Sequence, residues 1–452
     1  MTRGVAGAIL AAAVAVAGAG CEGALGTIQL SIVTAPGADP LAGVTRVRLT
    51  LVDPETVVEV DREPDGSFVL ELEVTADGTA TTIIFEGLAP GGEVVAYGRT
   101  ASLPLAAADA QVVIYVAAPD SFAEAPVALD PPRTDMGTAR LPYGVLWAGG
   151  RDDTGTAIAP AEIYNVYFHD LQIGDDLPEP RAGIAAATGV FEFVYLFGGE
   201  DETGTPRATF WRFETDVAPG GVYIEFQSDD ALARTGATAE LIGTEQFLAT
   251  GTPAVKLDGQ FSLASAFDDA PPLDGVSRTL QLSDSAIDVL VAGDGAGNAG
   301  AVLYENGLFT DFTSPPAELL RTGHGVALLA GGDALIVGGR DAGGILDTAV
   351  RYDRVERRFE VLADFLATPR ADAAVATAAG RVVIAGGVDA AGNVVGDAEI
   401  FDAATLDPIS VQPLVAPRTG AAATPLANGQ IVLAGGTDDT GAPLGTIELY
   451  TP

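Results

Sequence analysis

Seven arginines, Arg133, Arg181, Arg234, Arg278, Arg321, Arg370 and Arg418, are the residues whose type and spacing could do chemistry. Each stands 15 to 17 residues before a glycine, and successive arginines are 43 to 53 residues apart. A guanidinium presents a planar fork of donors that fits a carboxylate, so seven at one recurring position form a candidate ligand face for an anionic group. The same fork would also serve to pair with acidic side chains or backbone carbonyls and lock neighbouring repeats. Other chemistry is scarce. Two histidines, His169 and His324, and a single cysteine, Cys21, are too few for a zinc or iron–sulfur site, a disulfide framework or a Cys/His nucleophile pair. No catalytic residue, metal site or cofactor is predicted.

The elements that position these arginines must be read from the rest of the chain. Its 452 residues are 48% hydrophobic, with 56 Gly and 28 Pro, enough for more than one buried core and too apolar for disorder. Acidic residues number 62 against 23 basic ones, a net charge of −39, and Lys256 is the only lysine. That balance excludes a nucleic-acid partner and a polybasic membrane binder.

Residues 1–20 read as a signal peptide: Arg3, the apolar run Val5 to Ala17, then Gly18, Ala19 and Gly20. The run is shorter than the ~20 residues a bilayer-spanning helix requires. Cys21 follows at the point of cleavage, which resembles the lipobox of bacterial lipoproteins, although Gly18 stands where that family usually has Leu. The resemblance implies a lipid on Cys21, a cell-envelope location and contact with membrane only through the anchor. Glu22, in place of Asp, points to the outer membrane or cell surface. The rival is a plain cleaved signal.

Residues 21–118 alternate with period two. Ile28, Leu30 and Ile32, then Val47, Leu49 and Leu51, then Leu70, Leu72 and Val74 predict half-buried strands, and Thr82 to Phe85, Glu93 to Tyr97 and Val112 to Val116 continue them. Turns such as Pro64-Asp65-Gly66 separate them. The expectation is a small β-sandwich of the immunoglobulin or carboxypeptidase-regulatory kind, serving as a spacer in preference to an adhesive module.

Residues 119–452 repeat. A Gly-Gly pair follows a short apolar strand at Gly149-Gly150, Gly198-Gly199, Gly338-Gly339, Gly386-Gly387 and Gly435-Gly436, with reduced versions at Gly251 and Gly293. Asp-x-x-Gly comes next in six repeats, from Asp152 to Asp438, and reads as a turn in which Asp caps amides and Gly adopts a left-handed conformation. An aromatic closes most repeats (Tyr164, Phe213, Tyr304, Tyr352, Phe401, Tyr450), preceded two residues earlier by Glu162, Glu399 and Glu448 in three of them. Arg, strand, Gly-Gly, acidic turn and aromatic together resemble the kelch repeat, also found in the central domain of galactose oxidase, without the tryptophan usual after the aromatic. The resemblance implies an all-β, seven-bladed kelch-type β-propeller. The last repeat ends one strand short, and Ala125 to Leu129 are expected to supply it.

A galactose-oxidase copper site is not expected, because its crosslinked cysteine has no counterpart. His324 is expected to make a structural hydrogen bond and His169 to lie at an edge or on the surface. The acidic turns could be read as calcium sites, but the turn reading already accounts for them. The function expected is a lipid-anchored binding or scaffold protein, not an enzyme, that binds a protein or glycan at a propeller face. The alternative is an extracytoplasmic propeller enzyme acting on glycans, of sialidase or sugar-epimerase kind.

Overall fold

The computed structural model describes residues 9–10 and 24–452, except 54, 69–73, 77–78, 105–108, 216–219, 260–262, 268–270, 274–276, 283–287 and 297–299. Cys21, most of the expected signal, Leu70 and Leu72 of one expected strand, and Gly297 of one expected turn lie outside the described residues. The chain is all-β, built mostly from four-stranded antiparallel sheets.

In the N-terminal part, Ala24–Val33 pairs parallel with Asp109–Tyr115 and antiparallel with Val74–Ala76. A second sheet holds Glu55–Asp61, Arg46–Val52, Ile83–Leu88 and Val94–Arg99 in that order. The period-two pattern decides what each face does. Val47, Leu49 and Leu51 meet Leu30, Ile32, Phe85, Val112 and Ile114 in one apolar core shared by both sheets. The alternate residues face outward, where Arg46 reaches Asp61 at 2.7 Å and Arg48 reaches Glu59 at 2.6 Å across strands.

Between Ser121 and Thr451 the described residues form seven four-stranded antiparallel sheets. The first is Gly137–Leu141, Gly144–Ala148, Ala161–Asn165 and Asp170–Ile173. The next five begin at Ala185–Thr188, Ala239–Gly243, Arg278–Gln281, Gly325–Leu328 and Ala374–Ala378. The seventh begins at Ala422–Pro425. The first strand of each sheet lies against the first strand of the next, and that of the seventh lies against that of the first. Each second strand is therefore covered on both faces by neighbouring sheets. This is why Val194–Phe197, Val289–Ala292, Ala334–Val337 and Ile431–Ala434 are continuous apolar runs, buried at every position, instead of alternating.

The seventh sheet takes its fourth strand from far upstream. Ser121–Ala128 pairs antiparallel with Thr446–Thr451, with Ser121 opposite Thr451 and Glu124 opposite Glu448. Tyr450 stacks against Phe122 at 5.2 Å and its hydroxyl donates to Asp120 at 2.7 Å.

The N-terminal part rests on the first and seventh sheets, at the end opposite the Gly-Gly turns. Ala101, Tyr115 and Ala117 share a cluster with Val145, Trp147, Tyr164, Leu426 and Val432, and Tyr167 donates to the Ser102 carbonyl at 3.0 Å. This contact corrects the expectation for His169. Its backbone is left-handed (φ 51°), which turns the ring inward against Tyr164 and beneath Tyr115, so His169 is 2% exposed and not a surface residue.

Candidate functional site

Five of the seven arginines, Arg133, Arg181, Arg321, Arg370 and Arg418, are at most 1% exposed. Their guanidinium groups are used inside the protein. Arg418 donates to the carbonyls of Gly435 at 3.2 Å and Thr446 at 3.1 Å and pairs with Glu448. Arg370 does the same with Gly386, Asp397 and Glu399, the last at 2.8 Å, and Arg133 with Pro160 and Glu162. Arg370 and Arg418 thus tie the loop before their own sheet to its Gly-Gly turn and third strand, and Arg133 ties its loop to the third strand.

The three glutamates complete the joint. Glu399 accepts from the amides of Ala367 and Thr368 at 2.8 and 3.0 Å, and Glu448 accepts from Val415 and Ala416 at the same distances. One carboxylate therefore orders the loop and neutralises the cation that follows it. Burial lowers the Arg133 and Arg418 guanidinium pKa values, and their glutamates oppose the shift.

Elsewhere the joint is rebuilt from other groups. Trp211 stands in the glutamate's place in the second sheet, and Arg181 lies over its ring at 5.2 Å while donating to Glu179 and Pro180. Arg321 has only carbonyls and the Thr348 hydroxyl, and burial lowers its pKa to about 10. Arg234, half-buried, donates to the carbonyls of Thr250 and Pro253.

Arg278 is not equivalent to the other six. In five of the other repeats the residue after the arginine bridges the residue after the Gly-Gly pair, as Thr134 does with Arg151 and Thr419 with Thr437. In the fourth repeat Leu273 bridges Gly251 of the preceding repeat and Ala296. Arg278 instead opens the innermost strand, where burial lowers its pKa and the charge of Asp372 counters the shift. The shorter step of 15 residues to Gly293 was the signal of this displacement.

The glycines link one sheet to the next. Gly149, Gly198, Gly338 and Gly386 have φ between 63° and 66°, and a side chain there would overlap the carbonyl of the following repeat's arginine. The second glycine of each pair donates to that same carbonyl: Gly150 to Arg181 at 2.8 Å, Gly199 to Arg234 at 2.7 Å, Gly387 to Arg418 at 2.8 Å. Gly435 closes the series by packing on the Arg133 carbonyl and Met136.

The acidic turns occupy their own carboxylates. Asp152 Oδ1 accepts from the Thr154 amide and hydroxyl and the Thr156 amide, at 2.9, 2.7 and 3.0 Å, and Asp438 repeats the set with Thr440 and Ala442. These bonds hold both carboxyls below the usual carboxylate range. Among the described residues no group of three or more His, Cys, Asp or Glu converges as a metal site.

His324 hydrogen-bonds the Ala292 carbonyl through Nε2 at 3.1 Å, and the Tyr164 hydroxyl meets His169 Nδ1 at 2.7 Å. Burial lowers both imidazole pKa values to about 3. Between about pH 6.5 and pH 3 the unfolded chain binds two protons that the folded chain does not, so stability falls as pH falls through that window. The slope is roughly 1.4 kcal/mol per pH unit for each histidine. Glu240, with its carboxyl pushed up to about 8 by burial, acts in the opposite sense above its unfolded value. Replacing His169 with Phe should flatten the acid limb of a melting-temperature profile between pH 6.5 and 4, and an unchanged limb would show that the imidazole is not shielded.

Sequence reasoning missed a groove between the fourth and fifth sheets, although the run Arg351, Arg354, Arg357 and Arg358 holds four of the chain's 23 cations in eight residues and marked the place. No protein-family model matches the chain, and a search of curated proteins finds no relative. Among the described residues no helix is long and apolar enough to cross a membrane.

Proposed function

We propose that residues 119–452 form a seven-bladed β-propeller of kelch type, carried on a small β-sandwich (21–118), and that the protein binds a glycan or protein partner as a scaffold in the cell envelope. The observation that carries the architecture is cyclic adjacency: seven first strands succeed one another around a closed path, and the strand that completes the seventh sheet comes from residue 121 onward. The sandwich reading is supported by two sheets sharing one core, and the domain boundary by the start of the closing strand just after residue 118.

The binding reading is supported by where the repeated residues go. Arginines, glycines and turn aspartates are consumed in internal hydrogen bonds, which is the work of a rigid platform and which reassigns the buried arginines from ligand face to joint. Ligand recognition then falls to residues that differ from repeat to repeat.

Lipidation of Cys21 follows from the sequence pattern around it. The N-terminal strand fits this. Val33 packs toward the cluster shared with the first sheet, so the nine residues back to Ala24 place that end about 30 Å away, close to Cys21 in sequence. Cys21→Ala should move the protein from the membrane fraction to the soluble fraction without changing its melting temperature. An unchanged distribution would remove the anchor from this proposal.

A further inference from the structure

Between the outer strands of the fourth and fifth sheets lies a groove of about 480 Å³, within the ~300–1,000 Å³ range of small-ligand sites. Phe312 and Phe359 form its apolar wall, edge to face at 4.7 Å, and Tyr352 packs behind both. Ser314 is held at φ 87°, a strained value for a residue with a side chain, and is followed by Pro315 and Pro316. Arg357 is tied to Glu305. Arg358 is exposed, and among the described residues no carboxylate lies within ion-pair distance of it. Asp311 is the one acid on the lining.

We propose that this groove is a binding site for an acidic glycan, a chain of uronate sugars, whose carboxylate pairs with Arg358. Three features select that chemistry. An aromatic wall fits the C–H face of a sugar ring, the hydroxyls of Thr313 and Ser314 match sugar hydroxyls, and the free guanidinium takes the carboxylate in a two-point bond. The two prolines have no amide donors, so their segment of the lining offers an extended peptide no backbone N–H. The groove runs between two outer strands and is open to solvent, which suits a polymer. The acidic surface repels such a polymer at long range, but beyond about 8 Å physiological salt screens that repulsion, leaving the local cation to act.

The proposal names the ligand of the binding protein proposed above and rests on that reading. The test titrates the full-length protein with a hexamer of galacturonic acid and with its methyl-esterified form, by calorimetry. The acid hexamer should bind, and both esterification and Arg358→Ala should weaken binding by about tenfold or more, with Arg358→Lys intermediate. Arg358→Ala should leave the melting temperature unchanged, because the side chain is exposed and unpaired, and Arg140→Ala, at an exposed arginine of the first sheet, should leave binding unchanged. No binding, equal affinity for the ester, or a preference for a poly-glutamate peptide would overturn the site. Binding that survives Arg358→Ala would also overturn this site while keeping a glycan-binding protein, whereas cleavage of the hexamer to shorter products would overturn the binding reading itself.

Discussion

A chain that begins at Arg133 is expected to melt about 5 °C or more below one that begins at Pro119. Both lack the N-terminal sheets, so the comparison isolates Ser121–Ala128, the outer strand of the seventh sheet. Its loss strips the ladder from Thr446–Thr451 and removes the cover that Phe122, Ala125 and Leu129 provide. Burial of two large side chains contributes about 1.5–3 kcal/mol each, and a domain of this size loses roughly 1.5 °C per kcal/mol. The shorter chain should also associate, because the Thr446–Thr451 edge is left open. Equal melting temperatures would mean that the pairing contributes nothing to closure.

The second large effect is expected at the joint between the sixth and seventh sheets. Arg418→Ala leaves the carboxylate of Glu448, 0% exposed, without its cation, and breaking such a buried pair costs about 3–5 kcal/mol. The paired replacement Arg418→Met with Glu448→Leu should recover most of that loss, since it removes both charges. Denaturant titration reads the stability, and calorimetry against the acid hexamer reads binding, which should not change. Lost binding with unchanged stability would return this arginine to the ligand face.

Many of the strands were legible because period-two alternation and the recurring glycines depend on neighbours in sequence. Ile28 to Ile32 and Val47 to Leu51 could be assigned a buried face, and the position of each Gly-Gly turn could be fixed, from spacing alone. That the arginines pair with acids and backbone carbonyls was one of two readings of their position, and spacing alone could not choose between it and a ligand face. Arg370 is buried because carbonyls 16 and 27 residues downstream converge on it, an arrangement that exists only once the sheet has formed. Arg278 shows the limit of counting: the right residue at nearly the right interval opens a strand instead of standing in the loop before it. His169 was misplaced for a related reason. Its cover, Tyr115, comes from the other part of the chain, and no local pattern announces that contact. The groove at Phe312 and Phe359 likewise joins residues of different repeats, with only the run of arginines to betray it.

The hydroxyl of Tyr450 and the carboxylate of Asp120 meet across 330 residues of chain. Because that meeting completes the last sheet, the sheet cannot close until Thr446–Thr451 is present. Until then the protein carries two unpaired strand edges, one near each end of the repeat array, and each is complementary to the other on any second copy. Closure within one chain therefore competes with exchange between chains, and the outcome is set by protein concentration during the interval before Thr446–Thr451 finds its partner. A protein built this way gains from emerging far from its siblings, and crowded refolding should yield strand-swapped dimers.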